Sequence, residues 1–259
     1  MPELLEIETY RLAADAVVGR RIGSVSAPDD WYAKRATTTE ELRSVLPGRR
    51  VTGTRRIGKL LLLDTDGPVL GLRFGMTGRL LIDGGASIDR LEYSSDRDDT
   101  AWDRFGLTFR GGGELVIRDP RRLGGVELDP DESALGPDAA AVTLAPFRRI
   151  LAVSSAPVKA RLMDQSMLAG LGNLLTDETL WRAGIDPNRP AGSLASEEVA
   201  RLHRAMRRTI VALGRRGGSH CGDLQPARVR GGQCPKDGEE LRREDVGGRT
   251  TYWCPRHQS

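Results

Sequence analysis

Cysteine is nearly absent from this chain. Its 259 residues hold three, Cys221, Cys234 and Cys254, all near the C-terminus. An odd count so placed argues against a disulfide framework and for metal binding or reactive thiols. Aromatic residues are few, and lysine is scarcer still: four, against 35 arginines. No uninterrupted apolar run is long enough to cross a bilayer, and no basic stretch leads into an apolar one at the N-terminus. A membrane span and a signal peptide are therefore not expected, and the cytoplasm is the expected compartment. There is no internal repeat and no long low-complexity tract, and the length suffices for one large core or two modest ones.

Charge is present but unevenly placed. The net charge is +3, yet residues 201–259 carry 13 Lys/Arg against 6 Asp/Glu, a net of +7 that leaves −4 for residues 1–200. A basic, arginine-rich C-terminal quarter fits a polyanion partner, because guanidinium forks onto phosphate oxygens. A solvated arginine face is the plainer alternative.

The chain begins "MPELLEIETYR". As a helix start this is ordinary: proline fits the first turn, the carboxylates Glu3, Glu6 and Glu8 complement the positive helix end, and Leu4, Leu5, Ile7 and Leu12 supply an apolar face. As chemistry it is unusual, since removal of Met1 leaves Pro2 with a free secondary amine. The helix should stop near Gly19. Short apolar or alternating runs follow ("RIGSVSAP", "LLLLDTDGPVLGLRF", "LLIDGG", "FGLTFRGGGELVIRD", "GGVELDP"), parted by Asp-Gly, Gly-Gly and Gly-Pro. Turn signals so spaced predict an antiparallel sandwich or barrel, so residues 1–130 read as a helix-fronted β domain. Residues 131–145 read as a linker rich in Pro, Asp and Ala.

Residues 146–222 then read as helical. "APVKARLMDQ" is short and "GNLLTDETLWRAGI" amphipathic. The clearest helix is "ASEEVARLHRAMRRTIVALGRRGG", with Ser196 as cap, early glutamates, buried-face Val199, Leu202, Met206, Ile210 and Leu213, and glycines at its end. The fold class is thus α+β.

The tail, residues 223–259, has too few apolar residues for a hydrophobic core. It does contain Cys234-x2-Asp237 and Cys254-x2-His257, with 16 residues between the pairs. That is zinc-ribbon spacing: each pair sits on a tight knuckle and a hairpin joins the halves. Two cysteines, one histidine and one aspartate make a rarer set than four cysteines. Two other readings stay open: Asp237 as a turn residue beside Gly238, with His220 or Cys221 as fourth ligand, or a metal-free hairpin packed by Tyr252 and Trp253.

Taken in order, Pro2-Glu3, a β domain, a helical domain containing "GLGN" (Gly170 to Asn173) and a C-terminal zinc hairpin resemble the formamidopyrimidine-DNA glycosylase/endonuclease VIII family nearly end to end. The resemblance implies a bifunctional DNA glycosylase/AP lyase that acts as a monomer on duplex DNA carrying an oxidised base or abasic site, with one structural zinc on Cys234, Asp237, Cys254 and His257. It makes Pro2 the nucleophile at C1′ of the damaged nucleotide, Glu3 the acid/base at the sugar ring oxygen, and Glu6 a supporting carboxylate. An α-amino group titrates near about 8, so a nearby cation would favour the neutral, attacking form. Lys59, expected on a β-strand facing the site, is that cation and a phosphate contact. Asn173, at a helix–two-turn–helix turn, and Arg249, on the hairpin, would bind backbone phosphates. Met76 in "GMTG", with Arg121 and Leu123 in "DPRRLG", would fill the gap left when the damaged nucleotide leaves the stack.

Several positions depart from the family pattern: Leu5 replaces a proline, Arg73 a histidine, Leu123 an aromatic residue and Leu175 a tyrosine, and "RVRGGQC" stands where a Tyr-Gly-Arg element is usual. None removes the nucleophile or the carboxylates, so the chemistry is expected intact with the choice of lesion open. The rivals are a same-fold glycosylase for bulky or alkylated adducts with little lyase activity, and a non-catalytic damaged-DNA-binding protein. Simple binding needs none of Pro2, Glu3, Glu6 and Lys59.

Overall fold

Helix α1 (Leu4–Ala14) opens the chain and buries Leu4, Leu5, Glu6, Ile7, Tyr10 and Ala14. Leu12, expected on that face, is 58% exposed. At 3.6 residues per turn the inner stripe runs through positions 7, 10 and 14, so Tyr10 takes the place given to Leu12. A 3₁₀ turn over Asp15–Val17 and a left-handed Gly19 end the helix where expected. The computed structural model describes residues 2–88, 91, 97 and 99–259. By contact it divides into two compact units, Met1–Glu132 and Ser133–Ser259.

In the first unit, two antiparallel sheets form the expected sandwich. One contains β2 (Val51–Ile57), β3 (Leu60–Thr65), β4 (Leu70–Arg73) and β9 (Gly125–Leu128) in the order β2-β3-β4-β9. The other contains β1 (Ile22–Ser26), β5 (Arg79–Ile82), β6 (Gly85–Ala86), β7 (Asp103–Phe109) and β8 (Glu114–Arg118) in the order β1-β7-β8-β5-β6. Their inner faces meet in a core that includes Leu61, Leu63, Leu72, Phe74, Leu80, Phe105, Ile117 and Val126, joined by Ile7 and Tyr10 of α1. All four leucines of β3 are fully buried, which is why this strand reads as a continuous apolar run rather than an alternation. A short helix, α2 (Thr39–Val45), lies between β1 and β2, its first turn capped by the Thr38 hydroxyl.

In the second unit, α3 (Leu144–Ala152), α4 (Val158–Met163), α5 (Asn173–Ala183) and α6 (Ser196–Arg216) precede a hairpin of β10 (Arg242–Asp245) and β11 (Thr250–Trp253). α6 buries the five apolar positions its period predicts. Its cap lies one residue earlier than expected. Ala195 is the cap and Ser196 the first helical residue, because Glu198 reaches back to the Ala195 amide (2.8 Å) while Arg189 forks onto the same carboxylate. The tail shares a small apolar cluster with α5: Trp181, Leu224, Cys234, Leu241 and Cys254. The expectation of no core there is corrected to that extent.

A buried charge network fixes the hairpin on the helices. Lys159 of α4 is fully buried; its ammonium lies 2.7 Å from Asp177 of α5 and donates to the Thr251 hydroxyl (2.6 Å). Asp177 also pairs with Arg228, whose guanidinium sits 5.2 Å from the Tyr252 ring centre. Lys159→Ala removes one cation from this network while Arg228 still faces Asp177. It is expected to cost roughly 3 kcal/mol, the low end for breaking a buried pair, read as a lower urea midpoint. A loss of similar size in Lys159→Met, which keeps the bulk of the side chain without its charge, would show that the cost is electrostatic rather than lost packing.

Candidate functional site

Pro2 and Glu3 are buried where α1 begins. Glu3 is the cap residue, and its amide donates to Glu6 Oε2 at 2.8 Å. Glu6 is only 3% exposed, so both carboxylates are held out of water at the positive end of a helix. Glutamate is almost never this buried without a partner or a task. Two contacts place α1 in its unit. Tyr10 packs its ring 4.6 Å from that of Phe74, and its hydroxyl donates to the Gly78 carbonyl (3.2 Å). Burial, reinforced by Glu6, pushes the Tyr10 phenol well above its usual range. On another side, Arg56 joins Glu8 (3.0 Å) and donates to the Gly58 carbonyl (2.9 Å). This anchors the turn that carries Lys59. Lys59 is thus in the tight Gly58–Lys59 turn between β2 and β3, where Ile57 pairs with Leu60, and not within a strand as expected. A positive φ at Gly58 makes so short a connection feasible.

Met76, Arg121 and Leu123 come together on two touching loops. A Cβ on Gly75 would lie 2.4 Å from the Leu123 carbonyl carbon, so the backbones are in direct contact and only glycine fits. Leu123 is 51% exposed, Arg121 is exposed and Met76 half-buried. Arg73 faces inward onto the buried carboxylate of Glu127 (2.8 Å).

In the second unit the structure joins Asn173 to the hairpin. Gly172, rather than Asn173, is the cap residue of α5; Asn173 is the first helical residue and its side-chain amide donates to the Thr250 carbonyl at 3.0 Å. Arg249, one residue before Thr250, is exposed on the Val246–Arg249 turn. That turn is pressed onto α4 so closely that a Cβ on Gly247 would lie 2.7 Å from Ala160 Cβ. The half-buried Asn173 at the start of α5 is thereby held beside the strand that follows the exposed Arg249.

Cys234, Asp237, Cys254 and His257 converge, one ligand atom of each within 4.8 Å of all the others. Cys234 and Cys254 are buried. The surroundings orient the set: Trp181 Nε1 donates to Cys234 Sγ (3.3 Å), His257 Nε2 lies 3.1 Å from the Trp181 carbonyl, and the Glu239 amide donates to Asp237 Oδ1 (3.1 Å). His257 Nδ1 is left facing the cluster, 3.0 Å from Asp237 Oδ2. Burial pushes the Cys254 thiol up to about 11. Two sulfurs, one imidazole nitrogen and one carboxylate oxygen, each with outer support, fit a single tetrahedral ion. Among the described residues, His220 and Cys221 lie outside this group.

Sequence reasoning missed the residues that hold these parts in place. Lys159 had one signal: it is a lysine in a chain that otherwise uses arginine, and the slimmer ammonium is what enters the fully buried space against Asp177 and Thr251. Asp177 and Arg228 had none.

The comparisons agree with this geometry. Residues 1–126 match the family model for the formamidopyrimidine-DNA glycosylase N-terminal domain, and residues 134–221 that for the H2TH domain of the same enzymes. The chain is 33% identical over 285 residues to a formamidopyrimidine-DNA glycosylase of Geobacillus kaustophilus and 35% identical over 282 residues to one of Methylococcus capsulatus, with complete coverage of both partners in each case. Among solved structures it resembles the Lactococcus lactis Fpg bound to DNA containing an abasic site (TM-score 0.83, 26% identity, 100% of each chain). It likewise resembles the same enzyme bound to DNA containing Fapy-dG (TM-score 0.83, 26% identity, 99% of this chain and 100% of that one). The chain belongs to the formamidopyrimidine-DNA glycosylase family, the DNA glycosylases of base-excision repair.

Proposed function

We propose that this chain removes an oxidised base from duplex DNA and then cuts the strand at the exposed sugar, with the Pro2 amine as nucleophile. The observation that carries the reading is the burial of Pro2, Glu3 and Glu6 together at the start of α1. The amine attacks C1′, the N-glycosidic bond breaks, and the base leaves with the bonding pair and takes up the proton that the newly bonded Pro2 nitrogen sheds. Glu3 supplies a proton at the ring oxygen, which opens the sugar and leaves an iminium on Pro2. That cation acidifies the C2′ proton; its removal expels the 3′ phosphate by β-elimination. Glu6 holds the Glu3 amide and so fixes the first turn. Lys59, on its anchored turn, offers positive charge that keeps the amine neutral and a flanking phosphate in place.

Asn173 and Arg249 grip the backbone of the damaged strand, with the Asn173 amide exchanging the Thr250 carbonyl for a phosphate oxygen, and Met76, Arg121 and Leu123 occupy the space of the extruded nucleotide. One zinc on Cys234, Asp237, Cys254 and His257 closes the hairpin structurally and takes no part in the chemistry. The domains in this reading are 1–130, the linker 131–145, 146–222 and 223–259. The enzyme works as a monomer in the cytoplasm, since a clamp on one lesion needs no two-fold symmetry. No helix among the described residues is long and apolar enough to cross a membrane.

Borohydride trapping on abasic, 8-oxoguanine and oxidised-pyrimidine duplexes tests the mechanism. A covalent adduct is expected with the processed chain and none with an N-terminally extended one, while Glu3→Gln should lower base excision roughly 10²–10⁴-fold. DNA binding without an adduct on any substrate would discard the lyase and favour the specialised glycosylase or the binding protein. Elemental analysis should find one zinc per chain, reduced in Asp237→Ala. Because the thiols must shed protons to bind, zinc affinity should fall as pH is lowered. A zinc-free purified protein with an ordered hairpin would mean that the Trp181 cluster and the Lys159–Asp177–Arg228 network hold it without an ion.

A further inference from the structure

The two loops that carry Met76, Arg121 and Leu123 share a single buried acceptor. Asp119 is fully buried. Its carboxylate receives the Thr77 hydroxyl at 2.6 Å from one loop, and the amides of Gly124 (2.8 Å) and Arg121 (3.3 Å) from the other. The Tyr32 hydroxyl, 3.3 Å away, adds a donor from a third segment. Thr77 is itself only 1% exposed and directly follows Met76. The Arg121–Leu123 loop is strained: Arg122 is left-handed (φ +56°), and its guanidinium is pinned bidentately to Asp29, both contacts at 2.6 Å. Asp29 is nearly buried, and the Arg122 pair holds its carboxyl below the usual range. With Gly75 against Leu123, neither loop can shift without the other.

We infer that Asp119 is a positioning residue that locks the Met76 loop and the Arg121–Leu123 loop into one rigid wedge, and so sets how strongly the enzyme discriminates the base opposite the lesion. This rests on the proposed glycosylase reading and deepens it. A wedge of independent loops could adapt to any opposite base; a wedge tied through one carboxylate presents Arg121 in one geometry, and an ill-fitting base then costs alignment at the sugar.

Two substrates test the idea. One is a duplex with a formamidopyrimidine lesion opposite each of the four bases. The other is a single-stranded oligonucleotide with an abasic site, whose cleavage needs no wedge. Asp119→Asn keeps the shape but loses acceptor capacity. Thr77→Val removes only the tie to the Met76 loop, and Thr77→Ser restores the hydroxyl. Because displacement of about 1 Å can cost 10²-fold in rate, Asp119→Asn and Thr77→Val should each slow single-turnover excision at least about tenfold and narrow the spread across opposite bases, with abasic cleavage held within about twofold and Thr77→Ser close to wild type. Proportionate loss on both substrates would mean a general folding role and overturn the inference. So would unchanged excision with unchanged discrimination. A wild-type chain that cleaves neither substrate would overturn the glycosylase reading itself, before any variant is compared.

Discussion

The hydrogen bond from the Glu3 amide to the Glu6 carboxylate fixes the residue at which the chain becomes helical. The first amides of any helix lack intrahelical partners; here a side chain of the helix itself supplies one, in a space closed to water. Moving the helix start by one residue would rotate Pro2 and Glu3 by about 100° and lift them out of register with the sheets below. The rest of the unit serves that register. Tyr10 holds the helix to Phe74 and Gly78, Glu8 holds it to Arg56, and through these contacts the Lys59 turn and the Met76 loop inherit their positions from α1. The backbone uses both carboxylates: the Glu6 side chain accepts the Glu3 amide and the Glu3 side chain accepts the Glu6 amide, a reciprocal capping box that holds the pair in one geometry.

The second unit solves a similar problem with less apolar material. Its hairpin is small, and β10 is exposed at every position. What locates it is electrostatic and steric: the Lys159–Asp177–Arg228 network beneath β11, and the Gly247 turn against Ala160. Buried charge of this kind adds little net stability compared with an apolar core, but it tolerates only one arrangement. That arrangement brings Asn173 at a helix start beside the turn that carries Arg249, two residues far apart in sequence.

Much of this was legible in the sequence because it is periodic or local. The strands announced themselves through apolar runs parted by glycine turns, α6 through its 3.6-residue stripe, and the four-donor cluster through the spacing of Cys234, Asp237, Cys254 and His257. The N-terminal carboxylates read as a helix start, which the fold keeps, and by resemblance as a catalytic head. What escaped depends on distance in space. β2 was passed over because its face is polar, with Arg55 and Arg56 paired to Asp64, Glu132 and Glu8. Lys59 falls in a turn because its glycine neighbour adopts a conformation that composition does not reveal. Asp119 meets Thr77 across 42 positions, and Lys159 meets Thr251 across 92; no window along the chain contains either pair. Ser196 misled because a better-placed glutamate two residues later reached back past it.

The donor set of the hairpin has a consequence for durability. A ribbon closed by four thiolates offers an oxidant four sites for conversion to sulfenic acid and onward to forms that no longer hold an ion. This one offers two, Cys234 and Cys254, at 3% and 0% exposure, while the carboxylate and the imidazole take the half-buried positions. The ligands that meet solvent are the ones that peroxide attacks least. The oxidisable donors are thus the two withdrawn from solvent, which limits the reach of any oxidant at the surface of the hairpin.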